Sequence, residues 1–135
     1  MEHIRQNGYA EAMRYIANAK KVLSNSGIED KFYKDAKYVR VASSIAYSGV
    51  LVALDALAKL KGVSGPEKGK RKNIDFYRDI VAGNKELLNH LDTVYKNLQL
   101  SGYHDGNEDS TVIKSGFASA KELINLIKPS AGEAL

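Results

Sequence analysis

Four cations, Lys68, Lys70, Arg71 and Lys72, crowd into five positions beside Gly65 and Gly69. Cations on a mobile loop can follow a phosphate backbone through electrostatics that ignore base sequence. No aromatic residue interleaves them to stack bases, and no Gly-Lys-Ser/Thr ending follows to make a phosphate-cradling loop. A solvated turn between helices explains the same residues. The cluster therefore supports nucleic-acid or nucleotide binding as the second of two functional readings.

The densest polar stretch is Tyr103-His104-Asp105-Gly106-Asn107-Glu108-Asp109-Ser110. Asp105, Asn107 and Asp109 match the first three ligand positions of a calcium-binding loop. The required glycine is replaced by Ser110, and Gly116 stands where a bidentate glutamate is needed, so a strong calcium site is not expected. His104 beside Asp105 could do acid–base work, because a carboxylate orients and charges an imidazole. With no nucleophile nearby, the reading favours an Asx-rich turn that caps the next helix.

Asp55 lies in the most apolar part of the chain. It either marks a site, as a buried carboxylate must be paired or raised in pKa, or it meets Lys59 one helical turn on. The i,i+4 pair is the favoured reading. Tyr47 fits a core, but its hydroxyl needs a partner. With Ser43, Ser44, Ser48 and Gly49 around it, another helix can approach closely, so Tyr47, Ser48 and Asp55 are candidate dimer or partner contacts. His90 falls at the edge of an apolar stripe. Three histidines and no cysteine make a zinc site unpromising, and no Glu-x-x-His pair suggests a di-iron bundle. No catalytic residue, metal or cofactor is assigned, and the balance leans against an enzyme.

The elements that hold these residues read as helices. The apolar spacing is three and four throughout, and both prolines, Pro66 and Pro129, fall where a helical pattern has stopped. The first helix covers about 5–24 and is closed by Asn25-Ser26-Gly27. The second spans about 31–61, with Phe32, Ala36 and Val39 on one side of its first half. From Ile45 to Leu60 it is apolar nearly all round, so it should be central. Gly62 ends it, and residues 62–73 form a loop. Asn73 caps a third helix, about 74–99, which stops at Ser101-Gly102. Asp109 or Ser110 caps a fourth, reaching about 128. The class is all-α: one domain over 1–128, an antiparallel up-down bundle of four main helices, with a flexible tail at 129–135.

The run Ala42-Ser43-Ser44-Ile45-Ala46-Tyr47-Ser48-Gly49-Val50-Leu51-Val52-Ala53-Leu54-Asp55-Ala56-Leu57 resembles the second helix of HEPN-type bundles, the higher-eukaryote and prokaryote nucleotide-binding domains. Helix order is similar too, and the chain also looks like small helical proteins of Bacteroidetes. The resemblance implies a HEPN-like bundle in a bacterial protein that dimerises and binds a nucleotide, nucleic acid or protein partner. Nuclease members carry an Arg followed four to six residues later by a His. None of Arg5, Arg14, Arg40, Arg71 or Arg78 has that His. The nearest imitation, Lys85 to His90, lacks the planar fork that grips a phosphate.

A hydrophobic fraction of 44% and a charged fraction of 27% exclude a disordered chain. The longest uncharged stretch, Val41–Leu54, is too short to span a membrane. The absence of cysteine and of an apolar leader suits the cytoplasm. The leading expectation is a non-catalytic module that forms a homodimer or binds a partner protein.

Overall fold

The computed structural model describes residues 2–66 and 68–128. Helix α1 spans Glu2–Leu23. A small hairpin follows, of β1 (Ile28–Glu29) and β2 (Phe32–Tyr33). Then come α2 (Ala36–Leu60), α3 (Ile74–Val81) and α4 (Lys85–Val94). A π-helical segment, Tyr95–His104, leads to α5 (Ser110–Ile127). The protein is all-α apart from the two-residue strands, and the expected tail at 129–135 lies outside the described residues.

Helix α2 is the axis of the molecule, about 37 Å long at 1.5 Å per residue. By length and composition alone it could cross a membrane. More than half of its apolar window is instead buried against other helices, as in the core helix of a soluble domain. Its small residues let α1 come close and antiparallel. A Cβ on Gly49 would sit 2.7 Å from Tyr15 Cβ, and one on Gly8 would sit 2.4 Å from Ala56 Cβ. The close-approach surface around Gly49 is therefore occupied by α1. On the opposite side Ser43 meets Gly102 of the π segment, where an added Cβ would lie 2.1 Å from the Ser43 Oγ.

Helix α5 closes the core with Ile113, Phe117, Ala120, Leu123 and Ile124. It runs antiparallel to α1, whose Arg5 donates to the Ile127 carbonyl at 2.8 Å and whose Tyr9 hydroxyl donates to Asn125 at 3.2 Å. On its other flank Asn97 donates to the Val112 carbonyl at 3.2 Å.

Three boundaries differ from the sequence expectation. The second helix begins at Ala36, because Asp35 is extended (φ −139°) and its carboxylate accepts the Lys37 N–H, the geometry of an N-cap. Residues 28–33 turn back on themselves instead. Both loop residues, Asp30 (φ 49°) and Lys31 (φ 73°), have the positive φ of a type I′ hairpin. Phe32, expected on a buried stripe, is 54% exposed, and Tyr33 is buried in its place.

The third helix is not continuous. It breaks at Ala82-Gly83-Asn84, where Gly is a poor helix former and the Asn84 side chain accepts the Leu87 N–H at 3.0 Å to start α4. Apolar spacing persists across the break, which is why periodicity alone joins the two. Ser101-Gly102 does not stop it either. The chain continues as a π helix, with the Asp105 N–H donating five residues back to the Leu100 carbonyl at 2.9 Å. Arg40 supplies the ending, donating to the Tyr103 carbonyl at 3.0 Å and the His104 carbonyl at 2.7 Å. Such freed carbonyls need partners wherever a helix ends.

Candidate functional site

An open groove of about 710 Å³ lies between the C-terminal end of α1, the hairpin and the first half of α5. Leu23, Tyr33 and Phe117, all buried, form its floor. Ile28, 48% exposed, extends the apolar surface onto the lip. Lys20 stands on one wall, with Lys114 and Lys121 on the other. Among the described residues no carboxylate lines the groove, and none of these three lysines forms an ion pair.

Local folding explains this arrangement. Lys114, Phe117, Ala118 and Lys121 are spaced i, i+3, i+4, i+7, so they share one face of α5. That face is set by the cap: Asp109 accepts the Thr111 N–H at 2.9 Å, and Asn107 accepts the Asp109 N–H at 2.9 Å. The Asx turn expected from the sequence is thus present, with Asp109 as the cap. The hairpin is bound to this turn, since the Tyr33 N–H donates to the Glu108 carbonyl at 2.8 Å and the Ser110 N–H to the Lys31 carbonyl at 2.9 Å. Gly27, with φ +69°, makes the bend out of α1 without a steric cost. The Ser26 hydroxyl then accepts the Asp35 N–H at 3.0 Å. Burial pushes the Tyr33 hydroxyl up in pKa, from an ordinary value at which it is already uncharged at neutral pH.

The residues singled out from the sequence lie elsewhere on the molecule. Asp55 does not take the i,i+4 partner Lys59. It accepts from the Tyr77 hydroxyl at 3.0 Å and pairs with Lys72 at 3.2 Å. Chain reversal through the 61–73 loop returns Lys72 to α2, whereas Lys59 is exposed on the helix surface. Tyr47 is buried, with its ring 6.1 Å from that of Tyr95. Its hydroxyl is pushed up to about 12 by burial and by Tyr95. Tyr77 is raised as well, first by burial and then by its bond to Asp55. Ser48 is half-buried.

In the basic loop Lys68, Lys70, Arg71 and Lys72 are all exposed. Lys72 is committed to Asp55 and lies 6.0 Å from the Phe76 ring centre. Lys70 and Arg71 share a shallow recess with Asp75 and Asp79, whose carboxylates offset the positive field there. His104 Nδ1 lies 2.9 Å from Asp105, but both side chains are largely in solvent. His90 meets the Ser119 hydroxyl at 3.3 Å and ties α4 to α5. Among the described residues no cluster of three or more His, Asp and Glu could hold a metal ion.

The sequence reading missed the groove. Lys114-x-x-Phe117-Ala118-x-x-Lys121 was the available signal, a helical face that mixes cations with apolar groups. Its other wall and the rest of its floor come from segments far away in the chain.

The fold and groove define a mostly helical domain with an open, cation-rimmed apolar groove. The chain belongs to the family described as a domain of unknown function (DUF5618), which it matches over residues 7–129. A solved structure described as a protein of unknown function from Dyadobacter fermentans is 40% identical, with a TM-score of 0.80. The similarity covers 90% of this chain and 94% of that one. No curated protein matches.

Proposed function

We propose that the domain is a non-catalytic interaction module and that the groove between α1, the hairpin and α5 receives part of a protein partner. The observation that carries this reading is an open apolar groove whose floor continues onto the 48%-exposed Ile28. A small-molecule pocket encloses most of its ligand, whereas this surface offers a shelf of side chains suited to a partner element. A second copy of the chain is one partner of this kind, which would make the module a homodimer. The order of helices around α2 supports kinship with HEPN-type bundles that lack the Arg–His pair.

A photo-crosslinking residue placed at Ala118, exposed in the groove, tests the reading in living cells. A defined protein adduct is expected there and not at Asn89, which is exposed on α4. An adduct of twice the chain mass, with a dimer in light scattering, assigns the partner as a second copy. Equal or absent crosslinking at the two positions overturns the reading.

A further inference from the structure

We propose that the occupant of the groove is an amphipathic helix that flanks its apolar stripe with acidic residues. This rests on the reading of the groove as a protein-docking site and adds the chemistry of what docks. Three observations carry it.

Charge comes first. Among the described residues Lys20, Lys114 and Lys121 rim the groove without an ion pair, and no carboxylate lines it. Several cations elsewhere on the surface do find a carboxylate: Arg14 pairs with Glu11, Lys34 with Glu29, Lys72 with Asp55 and Arg78 with Asp92. Complementarity of this kind selects partners and speeds encounter more than it adds raw affinity.

Spacing is the second observation. Lys114 and Lys121 are separated by two helical turns, about 10.5 Å along the axis, with Phe117 and Ala118 between them. A helix lying beside α5 has the same period. Its acidic residues at i and i+7 would meet the two lysines, while apolar residues at i+3 and i+4 would enter over Phe117. Lys20, across the groove on α1, would face carboxylates on the opposite flank of the same helix. A single carboxylate, as on a fatty acid, could satisfy only one end of this arrangement.

The third is chemical character. The floor of Leu23, Tyr33 and Phe117 is buried and apolar, and the Tyr33 phenol, like any tyrosine, is uncharged at neutral pH. Side chains that enter it must be apolar too, so the acidic groups belong at the edges.

The test uses the full chain and a fluorescein-labelled peptide about five turns long. The peptide carries Glu at i and i+7, Leu at i+3 and i+4, and further Glu on the opposite flank of the Leu stripe. Fluorescence anisotropy should show binding that weakens as salt rises. Replacing its Glu by Gln should weaken binding about tenfold at low salt, the size expected of a few exposed ion pairs. In the Lys20→Glu, Lys114→Glu, Lys121→Glu protein the preference should invert, so that a Lys-flanked peptide binds better than the Glu-flanked one. These lysines are exposed, so the triple variant should keep the wild-type melting temperature.

Equal affinity for the Glu and Gln peptides, no binding of the Glu peptide, or no inversion would overturn the acidic-helix assignment. Competition by a long-chain carboxylate that binds more tightly than the peptide would overturn it as well. In each of these cases a position-specific adduct at residue 118 would leave the docking function standing. Loss of that adduct is what removes the docking function itself.

Discussion

At the residue scale the tyrosines are the most informative groups outside the groove. Tyr77 donates to a carboxylate, Asp55, from a buried position. A bond of this type stabilises by about 1–2 kcal/mol, so Tyr77→Phe should lower stability by that amount in urea denaturation. Lys72 binds the same oxygen from a largely solvated position, and Lys72→Met should cost less than about 1 kcal/mol. If the lysine variant proved the more damaging, the ranking of the two contacts would be wrong. Tyr47 adds a pH dependence. Its folded pKa is raised from 10.0 to about 12, whereas an unfolded tyrosine ionises near the ordinary value. Its stabilising contribution is complete below pH 10 and is lost as pH rises through about 12. The urea midpoint should therefore fall across that window. Tyr47→Phe should flatten the fall, and an unchanged slope would contradict the assignment.

At the element scale the packing depends on close approaches rather than on strong polar bonds. Helix α1 reaches α2 at Gly8 and Gly49, and the π segment reaches α2 where Gly102 meets Ser43. Gly102→Ala would force a Cβ to within 2.6 Å of the Ser43 Cβ, and overpacking of this kind costs about 1–3 kcal/mol. Pairing it with Ser43→Gly should recover most of that loss, which calorimetric melting of the double variant would show. The Ser43 hydroxyl is buried without a hydrogen-bond partner among the described residues. Ser43→Ala alone should thus be neutral or stabilising by up to about 1 kcal/mol, since it removes a desolvated polar group. These contacts were only half legible beforehand. The small residues around Ser48-Gly49 do signal a close helix approach, but nothing in their pattern says whether the approaching helix is α1 or one from a second chain. The Gly83-Asn84 break was visible as letters and hidden by an apolar stripe that keeps its spacing on both sides.

At the scale of the whole molecule, α2 is enclosed and α3 is an attachment. The buried residues Val50, Ala53 and Leu54 lie at the centre of the core, between α1, α5 and the α4–π run. Helix α3 has eight residues, and it is held by Tyr77 on Asp55 and by Lys61 Nζ donating to the Ile80 carbonyl at 2.8 Å. An isolated helix that short is unstable, so its order depends on these ties and on the burial of Tyr77, Ile80 and Val81. In native-state hydrogen exchange, α3 amides should exchange by local opening, well ahead of those around Val50–Leu54. Equal protection in the two regions would show that α3 unfolds only with the core. The groove lies at the far end of α2 from α3, beside the hairpin and the α5 cap, so opening of α3 should leave it intact.

Periodicity and caps determined much of this protein directly from its residues: the all-α class, the central place of the helix near 41–60, the caps at Asn73 and Asp109, and the bend at Gly27. Each of these is local, decided by residues within a turn or two of one another. Partners distant in the chain lay beyond that reach. Asp55 was read against Lys59, its neighbour one turn on, but it is bound by Lys72 and Tyr77 after the chain reverses. Phe32, expected on a buried helical stripe, is exposed because residues 28–33 form a hairpin whose buried side carries Tyr33. The groove is the extreme case, with one wall written in α5 and the rest assembled from α1 and the hairpin. A helical period records which residues share a face, whereas only the folded chain determines what that face meets.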